Sequence, residues 1–111
     1  MPRDYKVFLE DMRDAIAKVH KYTSGLGFKE FANDEKTVDA VVRNLEVIGE
    51  AAKSVPEGVR HGETQIDWRR IAALRNILIH QYFAIDVEIV WDIVQNKLPE
   101  LDKQVRKMLA E

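Results

Sequence analysis

The residues DEKTVDAVVRNLEVIGEAAKSVP, positions 34–56, decide the fold. Within them Val38, Val41, Leu45, Ile48, Ala52 and Val55 recur at alternating intervals of three and four. That spacing places the apolar side chains on one helical face and leaves the charged residues between them to water. Asn33 or Asp34 can start the helix by accepting its orphan backbone N–H groups, and Pro56 with Gly58 stops it. Upstream, Tyr5, Leu9, Met12, Ile16 and Val19 repeat the pattern, with Phe8, Ala15 and Tyr22 widening the stripe. They predict a helix over about residues 4–22, closed by Thr23-Ser24-Gly25-Leu26-Gly27. Phe28 to Ala32 reads as a short helical turn with Phe28 and Phe31 facing inward.

Downstream, Glu57 to Gln65 holds two glycines and alternating charge, and reads as a surface loop. Asp67 caps a helix that begins at Trp68 and carries Ile71, Leu74 and Leu78. Asp86 caps a fifth, with Val87, Val90 and Val94 on one face. Pro99 interrupts the pattern and belongs in the first turn of a last helix, where its missing N–H costs nothing. That helix keeps Leu101, Val105 and Met108 in register. No segment alternates with period two. The expectation is an all-α chain, an antiparallel helical bundle of four main helices plus short pieces, forming a single domain over residues 1–111.

Composition narrows the function classes. Hydrophobic residues make up 46% of the 111 and charged residues 32%, too apolar a balance for a disordered chain. The absence of cysteine excludes disulfides and thiolate zinc sites. Neither a signal peptide nor a run of ~20 apolar residues is present, so a cytoplasmic protein with no membrane partner is expected. The formal net charge of −2 argues against a general nucleic-acid coat protein. Local charge departs from that mean. No carboxylate occurs between Asp67 and Asp86, and the next longest acid-free stretch runs from Ala15 to Lys29.

Several chemistries lack their residues. There is no Gly-Lys-Ser/Thr phosphate loop, and Gly25-Leu26-Gly27 has Glu30 where a dinucleotide fingerprint needs its third glycine. His20, His61 and His80 share no ligand spacing and none closes a Glu-x-x-His pair, so no metal and no cofactor is expected. Glu46 and Glu50 lie one turn apart with Arg43 nearby, a row that reads as a solvated face or polar seam. Trp68 and Trp91 read as core anchors.

Arg75-Asn76-Ile77-Leu78-Ile79-His80-Gln81-Tyr82 falls inside the longest acid-free stretch. Arginine presents planar, multidentate donors to phosphate oxygens. Histidine, with an ordinary pKa of ~6.5, exchanges a proton near neutrality. Together they suffice for RNA cleavage without metal: His80 moves the proton of the 2′-hydroxyl or of the leaving 5′-oxygen, and Arg75 stabilises the phosphorane oxygens. On one straight helix, however, Arg75 and His80 are about 140° apart in rotation and about 7.5 Å apart along the axis. A break near His80, or two chains packing these helices together, would bring them into one cleft. A buried histidine bonded to Asn76, with Arg75 in an ion pair, is the alternative that spacing leaves open.

Arg75-Asn76-x-x-x-His80-x-Tyr82 resembles the Arg-x4-His-x-Tyr motif of the HepT-like toxins of the HEPN superfamily. The resemblance extends to Asp34-Glu35-Lys36-Thr37, Arg43-Asn44-Leu45-Glu46-x-Ile48-Gly49-Glu50-Ala51 and Trp68-Arg69-x-Ile71-Ala72. It continues through Tyr82-Phe83 and Asp86-x-x-x-Val90-Trp91 to Leu98-Pro99. It implies a helical homodimer, metal-independent cleavage of an RNA substrate, and a partner MntA-like nucleotidyltransferase antitoxin that transfers AMP to the motif tyrosine. Carried over by position, Arg75 and His80 are catalytic, Asn76 is a supporting group and Tyr82 is the AMP acceptor. Non-catalytic members of the superfamily supply the alternative, a helical subunit that binds RNA or nucleotide and assists a nucleotidyltransferase.

Overall fold

The stripe on residues 38–55 is realised as a buried helical arc in a computed structural model that describes residues 4–74 and 86–111. The described helices are α1 (Lys6–Thr23), α2 (Phe28–Ala32), α3 (Glu35–Ser54), α4 (Glu57–Gly62), α5 (Trp68–Ala72), α6 (Val87–Asp92) and α7 (Leu98–Ala110). A π-helical turn, Ile93–Lys97, joins the last two. No strand occurs among the described residues, and the chain is all-α. None of these helices is long and apolar enough to cross a membrane.

Each helix start has a local cause. Asp34 accepts from the Thr37 backbone N–H at 3.1 Å and from its hydroxyl at 2.7 Å. Asp67 accepts from Arg70 N–H at 3.1 Å, and Asp86 from Glu88 and Ile89 N–H at 3.0 and 3.2 Å. These side chains replace intrahelical partners that the first turn lacks. The α1 turn closes through Gly25, whose φ of +82° is strained for any side-chain-bearing residue. Glu30 steadies the next helix by accepting from Gly27 N–H at 3.1 Å.

The core is built from the predicted stripes. Leu9, Met12, Val19, Phe31, Val41, Leu45, Ile48 and Val105 are almost wholly out of solvent. Helix α1 packs along α3 on one side and α7 on the other, and α5 packs on α3. Both α1 pairings are antiparallel. Lys6 at its start donates to the carbonyl of Glu111 at 2.8 Å, and early α1 residues share a hollow with the late half of α3.

Four details differ from the sequence reading. Glu57–Gly62 is helical rather than loop. None of its residues is buried, so it carries no apolar period, and Pro56 with φ −58° launches it. The helix from Asp86 does not stop before a separate last one; the π turn carries the chain through. Its midpoint is Gln95, whose carbonyl the Pro99 ring would strike in a regular α-helix. Ile93, Val94 and Leu98 stay buried through this widening. Tyr22 and Phe28, both at helix ends, are 39% and 38% exposed rather than inward. Phe28 nevertheless meets Trp91 edge-on at 6.2 Å between centroids, while the buried Phe31 lies 5.0 Å from the same ring.

The Thr37 hydroxyl, and then its backbone N–H, hold the Asp34 carboxyl below the ordinary carboxylate value. A group whose folded-state pKa is depressed stabilises fully above its unfolded value and loses that contribution as pH falls through the folded value. Asp34→Ala should therefore be less stable than wild type near neutrality, with a gap that closes as acid is added. Denaturant melts of both proteins across the acid range check this. A gap independent of pH would show that the carboxylate charge is irrelevant to the cap.

Candidate functional site

Arg75, Asn76, His80 and Tyr82 lie outside the described residues, as does Leu78 of the predicted helix stripe. The structure does place the two stems between which they run. On the entry side, Trp68 is buried and its indole N–H donates to the carbonyl of Glu63 at 3.1 Å. The Asp67 cap and this indole bond fix both the start of α5 and its rotation against α3. Ile71 and Leu74 then face the core while Arg69 and Arg70 are exposed. On the exit side, Asp86 holds the first turn of α6.

These stems converge. Leu74, the residue immediately before Arg75, and Ile89, in the first turn of α6, line one cavity of about 480 Å³. Ile71, Ile93 and Leu101 supply more of its apolar wall, and Arg70, Gln65 and Asn96 its polar margin. The two described stems that flank the Arg/His kit in sequence thus meet at one hollow. Arg70 has its Nε 3.9 Å from the Asp67 carboxylate, an exposed pair that salt would screen.

Other candidate groups are elsewhere. Arg43, Glu46 and Glu50 line a shallow hollow of about 330 Å³ with Phe8 and Asp11, on the α1–α3 seam. Arg43 and Glu50 are exposed and Glu46 is half-buried, so the row lies at the edge of the seam. His61 is exposed on α4, with Nε2 3.7 Å from the Glu57 carboxylate. His20 lines a larger hollow between the end of α1 and the start of α7. Among the described residues no three His, Cys, Asp or Glu side chains gather at one point. Trp68 is a core anchor, and Trp91 is half-buried against the two phenylalanines.

The same chain has clear relatives. The profile of the family described as "Ribonuclease HepT-like" matches residues 12–108. A Methanocaldococcus jannaschii protein named "Putative RNase" is 42% identical over 112 residues, spanning 100% of this chain and 93% of its own. A Thermococcus cleftensis protein named "Probable ribonuclease HepT" is 39% identical over 108 residues, covering 97% of this chain and 98% of its own. A relative from Caldanaerobacter subterraneus, also named for an RNase, is 36% identical over 110 residues. No solved structure gives a significant match. With 97 consecutive positions spanned by the profile and relatives aligned nearly end to end, this chain belongs to the HepT-like ribonuclease family.

Proposed function

We propose that this chain is a metal-independent endoribonuclease, the toxin of a toxin–antitoxin pair, acting as a homodimer of one-domain protomers. The observation that carries the proposal is Arg75-Asn76-x-x-x-His80-x-Tyr82, standing intact in a chain of the HepT-like ribonuclease family. Relatives named for RNase activity support the substrate class. In the proposed reaction the ribose 2′-oxygen attacks the adjacent phosphorus as its proton is removed. The P–O5′ bond breaks, and the 5′-oxygen leaves with a proton. Products are a 2′,3′-cyclic phosphate and a 5′-hydroxyl. His80 moves one of these protons, Arg75 stabilises the charge that builds on the non-bridging oxygens, and Asn76 supports them. The 140° rotation between Arg75 and His80 on a straight helix makes a cleft shared by two protomers the favoured arrangement.

Tyr82 is the proposed point of control. Its phenolic oxygen attacks the α-phosphorus of ATP held by an MntA-like nucleotidyltransferase. Pyrophosphate departs, and the phenol proton passes to a base of that partner. On an unbroken helix Tyr82 falls only about 20° around from Arg75. The attached AMP then places a phosphodiester where it can pair with Arg75 and bars substrate sterically.

His80→Ala should lower the rate of RNA cleavage by about 10²–10⁴-fold, and Arg75→Ala by about 10²–10³-fold, with helicity and dimer mass unchanged. Wild-type cleavage by a folded His80→Ala protein would remove the assignment. Cleavage by wild type should also persist in excess chelator and leave cyclic-phosphate ends; strict Mg²⁺ dependence with DNA cut equally well would point to different chemistry. Co-expression with the cognate nucleotidyltransferase should add one AMP at Tyr82, read by intact mass and peptide mapping, and silence the enzyme. Fully modified protein that still cuts RNA would sink the regulatory mechanism alone.

A further inference from the structure

A second feature adjoins the stems of the motif. The cavity lined by Leu74 adjoins a hollow of about 540 Å³, with Gln65, Asn96, Glu100 and Gln104 lining both. Arg70 and Lys97 stand at the first hollow and Lys103 and Lys107 at the second, all four exposed. The carboxylates on these walls are Asp67 and Glu100. Four cations thus face two acids, on a chain whose formal net charge is −2. Asp67 is also already engaged, as the cap of α5 and the neighbour of Arg70. Nearby, Asp92 accepts from the Asn96 amide at 2.6 Å.

The chemistry of the stripe is that of a strand-binding surface. Lys103 and Lys107 are one turn apart on α7, about 6 Å along the axis, a step comparable to that between successive phosphates of an extended strand. Gln65, Asn96 and Gln104 carry carboxamides, each a donor and an acceptor for base edges. Gln104 uses its Nε2 to bridge to the Gln65 carbonyl at 3.2 Å, which ties the loop before α5 to α7. The apolar wall of Ile71, Leu74 and Ile89 offers a surface on which an unstacked base can lie.

Resting on the ribonuclease reading above, we infer that this stripe is the RNA-binding track. It receives single-stranded RNA, with phosphates on Lys103 and Lys107 and a base in the hollow lined by Leu74. The track sets affinity and is separate from the proton-transfer machinery.

The test pairs Lys103→Ala/Lys107→Ala with Lys103→Arg/Lys107→Arg, both good helix formers at exposed positions. The probe is a fluorescein-labelled, mixed-sequence 2′-O-methyl RNA strand, which 2′-hydroxyl chemistry does not cut. A phosphate contact on a single strand contributes about 0.7 to the salt slope, so the alanine pair should lower that slope by about 1.4 and weaken binding about 25-fold at 0.1 M salt relative to 1 M. Cleavage of ordinary RNA should show KM raised with kcat retained, and the arginine pair should restore both binding and KM. Equal affinity and slope for wild type and the alanine pair, where wild type cuts RNA, would overturn the track and leave the nuclease reading intact. So would loss of the dimer in the alanine pair, which would make the stripe an interface between copies. Wild type that neither binds this strand nor cuts its 2′-hydroxyl counterpart would overturn the ribonuclease reading itself.

Discussion

Burial of the apolar arc of α3 is the constraint on which the other helices depend. Leu45 and Ile48 are wholly out of solvent at its middle, with α1 packed on one flank and α5 on another. Five residues of α5 are far too few for a helix to stand alone. Its position comes from Trp68, whose ring is buried and whose indole N–H is bonded. Truncating a buried aromatic typically costs about 3–5 kcal/mol, whereas a lost N-cap costs about 1 kcal/mol. The tryptophan therefore places α5 and the aspartate only sharpens its start. Since Leu74 follows directly, the core of α3 also sets where the chain begins its Arg75–Tyr82 run.

What could be seen in the sequence follows from which face of each helix is buried. The stripes on α1, α3 and α7 are periodic because one face of each helix meets the core and the other meets water. Helix α4 escaped notice because all of its residues reach solvent, so only Pro56 marked it. The π turn was invisible for another reason. A proline read locally ends a helix, but here Ile93, Val94 and Leu98 must all remain in the core, and one widened turn meets both demands. At the site, the sequence displayed the arginine, histidine and tyrosine of the motif, but their spacing alone left a packing role open, and the wider resemblance along the chain carried the reading. It did not display the paired hollows next to the stem at Leu74. Gln65, Arg70, Asn96 and Lys103 are scattered over a loop, α5, the π turn and α7, and come together where α7 runs beside the loop before α5.

Charge connects the two halves of the account. A chain that is acidic overall does not attract RNA indiscriminately, and short-range screening confines its attraction to local fields. Arg69, Arg70, Arg75 and His80 make one such field in sequence; among the described residues, Arg70 and Lys97 stand at one hollow and Lys103 and Lys107 at its neighbour. In the proposed mechanism, binding and chemistry fall to different residues. Proton transfer needs a group that titrates near neutrality, while phosphate contact needs only fixed charge.

The most direct measurement compares two RNA strands that differ by a single oxygen, one all-ribose and one with a lone 2′-deoxynucleotide at a mapped cleavage site. Wild-type protein should bind both equally, cut neighbouring linkages at equal rates, and spare the linkage whose 2′-hydroxyl is missing. Cleavage at the 2′-deoxy linkage at the all-ribose rate would contradict the proposed mechanism, because no internal nucleophile would then be required.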